Sequence, residues 1–325
     1  NLRMNTMKWL LKREYWEHKG GFFWAPVVVS SILALLIIGT MLSAVIFGQG
    51  DSFHIGGNSS GMSLQAGLSA ITEADKLKFA QGLAAGYPSV AIPVMFTFGF
   101  VVFFYCLGCL FDERKDRSIL FWKSLPISDR DSVFSKALTA LVLGPIIAVA
   151  FTLALSWVVA LTLMVLAAFN GLNLFGLVLT DSNFYLVPLQ IISFIPIYAL
   201  WALPTIGYLM FVSSWAKSKP FLWAVGVPVL GGVILTWVNF LANSPFKLDS
   251  YWEIIVGRGL GSAFPGAWLG HVSEANANIN PSNVIGYMMT NTYGLLGSAN
   301  LWIGVAVGLA FLAGAVKMRR YRDEG

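Results

Sequence analysis

Residues 89–111 read SVAIPVMFTFGFVVFFYCLGCLF, and no charged residue or histidine interrupts them. About 20 helical residues are enough to cross a hydrocarbon core of about 30 Å. The next four residues, Asp112-Glu-Arg-Lys115, are all charged, which marks an abrupt end to the apolar stretch. Residues 89–111 are therefore predicted to form a transmembrane helix.

Five other stretches are as apolar, and none of them contains Lys, Arg, Asp, Glu or His. They cover residues 22–48, 137–168, 186–212, 221–242 and 298–316. The first is too long for the core of a signal peptide, so we expect it to be retained. Residues 137–168 exceed the length of one crossing, and we expect one helix that is tilted or projects from the membrane. The predicted fold class is an all-α polytopic membrane protein, with six transmembrane helices in a single transmembrane domain, residues 1–325.

The composition agrees with a membrane location. Only 11% of the 325 residues are Asp, Glu, Lys or Arg, against about 25% in a typical soluble chain, and the mean hydropathy is +0.71. So few charges cannot coat a water-facing surface, which argues against a soluble enzyme, a disordered chain and a fibre. The net charge of +5 is interpreted as a topology signal, and no nucleic-acid partner is predicted.

The charges outside the six stretches are distributed unevenly. With six crossings, 17 of the 21 Lys and Arg residues lie on the side of both termini and four lie on the other. With the acidic residues included, the net charges are +8 and −3. Since Lys and Arg are enriched on the cytoplasmic side, both termini are predicted to be cytoplasmic. The predicted location is a cytoplasmic (inner) membrane, with membrane lipid as one partner; that the membrane is bacterial is implied only by the family resemblance given below.

Residues 6–19 are predicted to form an amphipathic helix lying on the cytoplasmic leaflet. At 100° per residue, four residues share its apolar face: Met7, Leu10, Leu11 and Tyr15. Trp9 and Trp16 fall opposite that face, where they would meet a partner or the headgroups. A basic topology anchor without further function is the alternative.

Residues 186–212 contain Pro188, Pro196 and Pro204. Each proline removes a backbone donor and favours a kink. The pattern is compatible with a permanently bent helix and with a moving gate.

Residues 112–131 form the loop between the second and third predicted spans. Its ends are densely charged, but five apolar residues form a stripe in its middle: Ile119, Leu120, Phe121, Trp122 and Leu125. Such a stripe has to enter the membrane interface or a groove on another protein. Pro126 is predicted to end the short helix that carries it, and Ser128 or Asp131 to cap the next helix. An interfacial helix that carries only topology charges is the alternative.

This loop resembles the corresponding loop of the ABC-2 type transporter permeases. The resemblance is carried by the charged end of the second span, the run Arg117-Ser-Ile-Leu-Phe-Trp-Lys-Ser-Leu-Pro-Ile-Ser128, and Lys136 before the third span. The interfacial helix, the six spans and a long external segment extend the resemblance to nearly the whole chain. The run departs from the commoner sequence motif of the family, in which Gly-Thr and a Glu precede the leucines.

The resemblance implies a coupling helix that docks into a cleft on a separate cytoplasmic ABC ATPase subunit. It also implies that this chain binds no cofactor, that ATP and Mg²⁺ bind to the ATPase, and that a second, identical or similar permease completes the pathway. The predicted ATPase contacts are Arg114, Lys115, Asp116, Arg117, Ser118, Ile119, Leu120, Phe121, Trp122, Lys123, Ser124, Leu125 and Pro126. Secondary cytoplasmic contacts are predicted at Lys217, Lys219, Trp9 and Trp16.

The external segment, residues 243–297, is too long for a turn and too apolar for a solvated loop. Two short helices that re-enter the outer leaflet before the last span fit it, as in the permeases that the chain resembles. A seventh crossing is the alternative, but it would move the basic carboxyl terminus outside. On the same side, Thr72-Glu-Ala-Asp75 predicts the start of a short helix that reaches about Ala85.

Motifs for chemistry on the chain itself are missing from the sequence. There is no GxxxxGK[ST] phosphate loop, no HExxH, no GxSxG and no zinc-spaced Cys/His set. The predicted spans also lack the ionisable groups that ion-coupled transporters need. These absences indicate that energy comes from another chain, and the resemblance then implies the permease subunit of an ABC exporter for an amphipathic, lipid-like, drug or peptide substrate, and no enzyme by itself. A non-transporting scaffold or immunity protein is the alternative, and a membrane-embedded enzyme is a third hypothesis.

Overall fold

The computed structural model describes residues 2–47, 72–124, 127–169, 171–242, 249–271 and 284–321. Within these ranges the chain is mainly helical and contains no β-strand. Six of the helices there are long and apolar enough to cross a membrane, and they are called spans one to six below: Gly20–Ser43, Glu73–Lys115, Asp129–Phe169, Asn183–Trp215, Leu222–Leu241 and Ala299–Tyr321. The predicted fold class is confirmed at this level.

Most spans consist of more than one helical element, and further helices lie outside the spans. The α-helices with at least five residues are Leu2–Glu17, Ala25–Phe47, Glu73–Gly86, Ile92–Gly108, Phe111–Lys115, Ser118–Ser124, Asp129–Leu138, Gly144–Phe169, Phe175–Thr180, Asn183–Ser193, Ile195–Trp215, Val227–Leu241, Val284–Gly294 and Ala299–Tyr321. Leu2–Glu17 is called the amino-terminal helix and Ser118–Ser124 the loop helix. Leu125 and Pro126, including the predicted helix stop, lie outside the described residues.

Two predicted helix starts are confirmed by capping hydrogen bonds. The Ser128 hydroxyl accepts a bond of 3.1 Å from the backbone N–H of Asp131 at the start of span three. Thr72 accepts one of 3.2 Å from the backbone N–H of Asp75 at the start of span two. Both spans begin well before their apolar stretches. Span three is continuously helical over 41 residues, which agrees with the expectation of one helix.

Three spans contain a π-helical turn two residues before a proline. These turns are Gly20–Trp24 before Pro26, Thr139–Leu143 before Pro145 and Leu222–Gly226 before Pro228. Because proline has no N–H, it leaves a carbonyl of the preceding turn without its usual partner, and a π turn shifts the backbone to a new register. These turns were not predicted from the sequence.

Span four breaks at Phe194, between the helices Asn183–Ser193 and Ile195–Trp215. Pro196 follows the break directly, at the start of the second helix. Pro188 and Pro204 lie inside the helices. Of the three predicted kink sites, Pro196 therefore coincides with the break.

Spans four and six form the most extensive helix contact of the described residues. Gly207 of span four faces Gly308 of span six so closely that a Cβ added to Gly207 would lie 2.5 Å from the Gly308 carbonyl oxygen. Between helices in a membrane, small residues allow the backbones to approach and to gain van der Waals contact. This pair anchors the core of the bundle.

The two ends of the bundle are defined by polar contacts. At one end, Lys136 of span three, Glu113 of span two and Arg319 of span six form ion pairs, and we call this the basic end. At the opposite end, the Tyr87 hydroxyl of span two donates a hydrogen bond of 3.1 Å to the carbonyl of Phe184 in span four. Spans two, three and four therefore run in alternating directions.

Part of the segment predicted to be external packs between the spans. The Tyr251 hydroxyl donates a bond of 2.7 Å to the Pro228 carbonyl of span five. The Phe264 ring covers Gly99, near the middle of Ile92–Gly108 in span two. Residues 249–271 thus reach far along the bundle from its opposite end, and Val284–Gly294 follows as a second helix.

Candidate functional site

The loop helix lies at the basic end and presents two different sides. Ile119 is buried against the bundle, whereas Leu120 and Phe121 are 56% and 60% exposed. A seven-residue helix is too short to be stable alone, so its position depends on the residues that hold it. Of the remaining predicted contacts in the described residues, Lys115, Asp116, Arg117 and Ser124 are exposed, and Ser118, Trp122 and Lys123 are partly buried.

A cluster of six charged residues lies directly beside the loop helix, and we call it the ion cluster. Its members are Arg13, Glu14, Glu113, Asp129, Lys136 and Arg319. Three carboxylates face three cations, which makes the cluster neutral overall. It joins the amino-terminal helix to spans two, three and six.

Lys136 is at the centre of this cluster. Its Nζ atom lies 2.8 Å from Oε1 of Glu14 and 3.0 Å from Oε1 of Glu113. The Tyr105 hydroxyl donates a further bond of 2.9 Å to Oε2 of Glu14. Glu14 and Lys136 are 0% and 1% exposed, so water cannot replace these partners. A buried charge is tolerated when it is both paired and hydrogen-bonded, and these residues meet that condition.

Glu113 is held from the other side by Arg319. The Arg319 guanidinium pairs with Oε2 of Glu113, and its Nε lies 3.2 Å from Oδ1 of Asp129. The carboxyl end of span six is thereby tied to the ends of spans two and three.

Trp122 connects the loop helix to the ion cluster. The Arg13 guanidinium carbon lies 3.9 Å from the centroid of the Trp122 ring, within the range of a cation–π contact. Nη2 of Arg13 also lies 3.2 Å from Oε1 of Glu113. A displacement of the loop helix would therefore act on the amino-terminal helix through one side chain.

Arg114 fixes the end of span two against the end of span four. Its Nη2 donates hydrogen bonds of 2.7 and 2.8 Å to the carbonyls of Ser213 and Ala216. A cation is favourable at the carboxyl end of a helix, where the last carbonyls lack helical partners. The Ser213 hydroxyl in turn accepts a bond of 3.0 Å from the backbone N–H of Phe111. Arg114 is buried, so this predicted contact residue is directed into the bundle.

The four predicted secondary contacts are exposed. Trp9 and Trp16 project from the amino-terminal helix, each with a lysine Nζ 5.2 Å from its ring centroid. Lys217 and Lys219 lie in the turn between spans four and five. All four belong to elements of the basic end.

Acid is expected to weaken the ion cluster. Burial raises the pKa of Glu14, but Lys136 and Arg13 outweigh burial, and the pKa lies below its ordinary value. A depressed pKa stabilises the folded state above the unfolded pKa, about 4.3 for Glu, and this contribution is lost as the pH falls through the folded value. We expect the stabilising contribution of Glu14 to be constant between about pH 5 and pH 8 and to decline below about pH 4.3, where it is seen as a falling melting temperature. Glu14→Gln should melt lower at neutral pH and show a smaller acid decline; an unchanged decline would contradict this assignment.

Glu14, Glu17 and His18 bring three potential metal ligands within 4.8 Å of one another. Glu14 already accepts from Lys136 and Tyr105, however, and a metal ion would add positive charge beside Lys136. Burial lowers the pKa of His18, so the neutral imidazole, the form that can bind a metal ion, is favoured. The partners of Glu14 nevertheless place that residue in the ion cluster, and no metal site is assigned to the three residues.

The ion cluster and the buried Arg258 were not predicted from the sequence. Lys136 was interpreted as a topology charge and as part of the family resemblance, and Arg319 only as a topology charge. Arg258 was assigned to the external side, but it is buried between spans four and six. Its Nη2 donates a hydrogen bond of 2.7 Å to the carbonyl of Asn300. Its guanidinium carbon lies 4.4 Å from the centroid of the Trp201 ring. The partners in such long-range pairs cannot be identified from the local sequence.

The described residues contain six helices that are long and apolar enough to cross a membrane. They indicate that the chain is a multi-pass membrane protein. No protein family, no curated protein and no solved structure matches the chain. The functional conclusion therefore rests on the site itself.

Proposed function

We propose that this chain is the membrane-spanning permease subunit of an ABC exporter, driven by a separate ATPase. The observation that supports the proposal best is the pair Leu120 and Phe121, two large apolar side chains exposed on a short helix at the basic end. Apolar residues in such a position favour a groove on a partner protein. Trp122 and the ion cluster hold the helix that presents them.

The proposed orientation places the basic end in the cytoplasm. The amino-terminal helix, the loop helix and the carboxyl end of span six all belong to this end, and 17 of the 21 basic residues belong to its segments. Lys and Arg are enriched on the cytoplasmic side of bacterial inner-membrane proteins. An ATPase in the cytoplasm would then meet Leu120 and Phe121 directly.

Residues 249–271 are proposed to form the first of two re-entrant elements. Non-helical backbone at membrane depth is tolerated only where protein surrounds it. Ser262, Ala263 and Trp268 are buried, and the Tyr198 hydroxyl of span four donates a bond of 2.9 Å to the Ala263 carbonyl. This segment thus has the protein partners that such a position requires.

The proposed transport step begins at the loop helix. When ATP closes the ATPase subunits, they push on Leu120 and Phe121, and the force reaches Arg13 through Trp122. The ion cluster passes it to the amino-terminal helix and to spans two, three and six, which then move together. A second permease copy, identical or similar, would form the other half of the pathway.

Phe121→Asp is expected to separate the permease from its ATPase. The substitution places a charge in an apolar groove, where buried aromatic anchors commonly contribute 2 kcal/mol or more to binding. We therefore expect about 30-fold weaker binding of the ATPase, and less stimulation of ATP hydrolysis as a consequence. The measurement is co-purification and ATP hydrolysis after coexpression with the ABC ATPase encoded beside the chain.

Tyr321→Asp is the matched control, because Tyr321 is also a strongly exposed aromatic residue at the basic end, at 71%. It should leave binding intact, and Phe121→Leu should weaken binding only slightly. Wild-type binding by a folded Phe121→Asp variant would refute the docking surface. A gene neighbourhood without an ATPase would favour the scaffold hypothesis.

A further inference from the structure

A groove of about 470 Å³ lies at the basic end, between the start of span one and span two. Its walls are largely apolar, and they include the aromatic residues Phe22, Phe100, Phe104 and Tyr105. Its rim carries Glu17, His18 and Asp112. An apolar pocket with a few convergent polar groups has the general form of a small-molecule site.

The rim is acidic although this end of the molecule is basic. Among the described residues, Asp112 takes part in no ion pair. Its Oδ2 atom lies over Gly108, 2.8 Å from where a Cβ of that residue would be, so the carboxylate extends back along span two towards the groove. Glu17 has Arg13 as a neighbour, with 3.5 Å between Oε1 and Nε, but Arg13 also pairs with Glu14 and Glu113.

We propose that this groove binds an amphipathic organic cation. Its apolar groups would pack against Phe100 and Phe104, and its positive centre would lie at the rim near Glu17 and Asp112. An anion would be repelled by both carboxylates, and a neutral ligand would remove them from water without compensation. A cation would interact favourably with both carboxylates and with the faces of the aromatic rings. A zwitterionic lipid fits less well, because its phosphate would approach the same carboxylates.

The binding step does not depend on an ATPase. Export of the bound cation would rest on the proposed function, whereas binding can be measured on the purified chain. Failure of one can therefore be distinguished from failure of the other.

The test uses the full chain in phosphatidylcholine nanodiscs, with radiolabelled tetraphenylphosphonium as the probe. Radiolabelled tetraphenylborate, which has nearly the same shape and the opposite charge, is the matched probe, and it is measured in a separate sample because the two ions precipitate together. We expect saturable binding of the cation and no saturable binding of tetraphenylborate. Asp112→Asn and Glu17→Gln should each weaken it about tenfold, as expected for loss of a charged partner, and Phe104→Ala should weaken it as well.

Two variants control for indirect effects. Glu73→Gln removes an exposed carboxylate at the opposite end and should leave binding unchanged, and Asp112→Glu should retain most of it. The absence of saturable binding would overturn the proposal. So would saturable binding of tetraphenylborate with equal affinity, or wild-type affinity in a folded Asp112→Asn, Glu17→Gln double variant.

Discussion

Lys136→Met is expected to destabilise the folded chain by about 3 kcal/mol, at the lower end of the range for breaking a buried ion pair. The ammonium group holds Glu14 and Glu113 together at 2.8 and 3.0 Å. Without it, two carboxylates remain side by side at a site that water does not reach. The loss is limited because Glu14 keeps Arg13 and Tyr105, and Glu113 keeps Arg319.

The measurement is thermal unfolding of purified protein in nanodiscs at neutral pH. Lys115→Met is the matched control, because Lys115 is exposed at the same end, and such a surface change should cost less than about 0.5 kcal/mol. The double variant Lys136→Met, Glu14→Gln should lose less than the sum of the single variants, because it removes both charges of one pair. Strict additivity, or equal stability of the Lys115 and Lys136 variants, would contradict a coupled cluster.

One signal for this cluster was present in the sequence. At 100° per residue, Glu14 falls between Leu10 and Met7 on the helical wheel of the amino-terminal helix, inside the predicted apolar face. The structure buries Leu10 and Glu14 together. An acidic residue in the middle of an apolar face predicts a buried cationic partner. Its identity as Lys136, 122 residues later, follows only from the packing of the helices.

The spans were predictable because bilayer thickness and the exclusion of charge act on each segment separately. Thr72 and Ser128 were also predictable, since a cap bonds to a residue only three positions away. Arg114 was not, because its partners Ser213 and Ala216 lie about 100 residues further along the chain. The sequence predicted an apolar stripe on the loop, and the structure divides that stripe into buried Ile119 and exposed Leu120 and Phe121.

The contact between spans four and six was equally hidden. Glycines are frequent along the predicted spans, and their number does not reveal which of them faces another helix. A Cβ at Gly39 would meet nothing within 4 Å, whereas one at Gly308 would lie 2.7 Å from the carbonyl carbon of Leu203. The difference arises from the packing of the bundle, in which the helix Ile195–Trp215 of span four lies against the helix that contains Gly308.

Gly308→Val is therefore expected to disrupt the pairing of spans four and six. The new side chain would meet the backbone of Leu203 and Pro204, which cannot rotate away as the end of a flexible side chain would. The helix axes have to separate, and the van der Waals contact around Gly207 is lost with them. We expect a loss of about 3 kcal/mol or more, the upper part of the range for overpacking, seen as a lower melting temperature and poorer recovery of monodisperse protein.

Gly39→Ala distinguishes this effect from a general sensitivity to glycine replacement. Gly39 also lies inside a membrane-length helix, but its surroundings are open, and alanine is the better helix former by about 0.5–1 kcal/mol. This variant should be as stable as the wild type or more stable. Gly308→Ala should lie between Gly308→Val and the wild type, because one methyl group already meets the Leu203 carbonyl but requires a smaller separation. Wild-type melting of Gly308→Val would mean that spans four and six do not pack through these glycines.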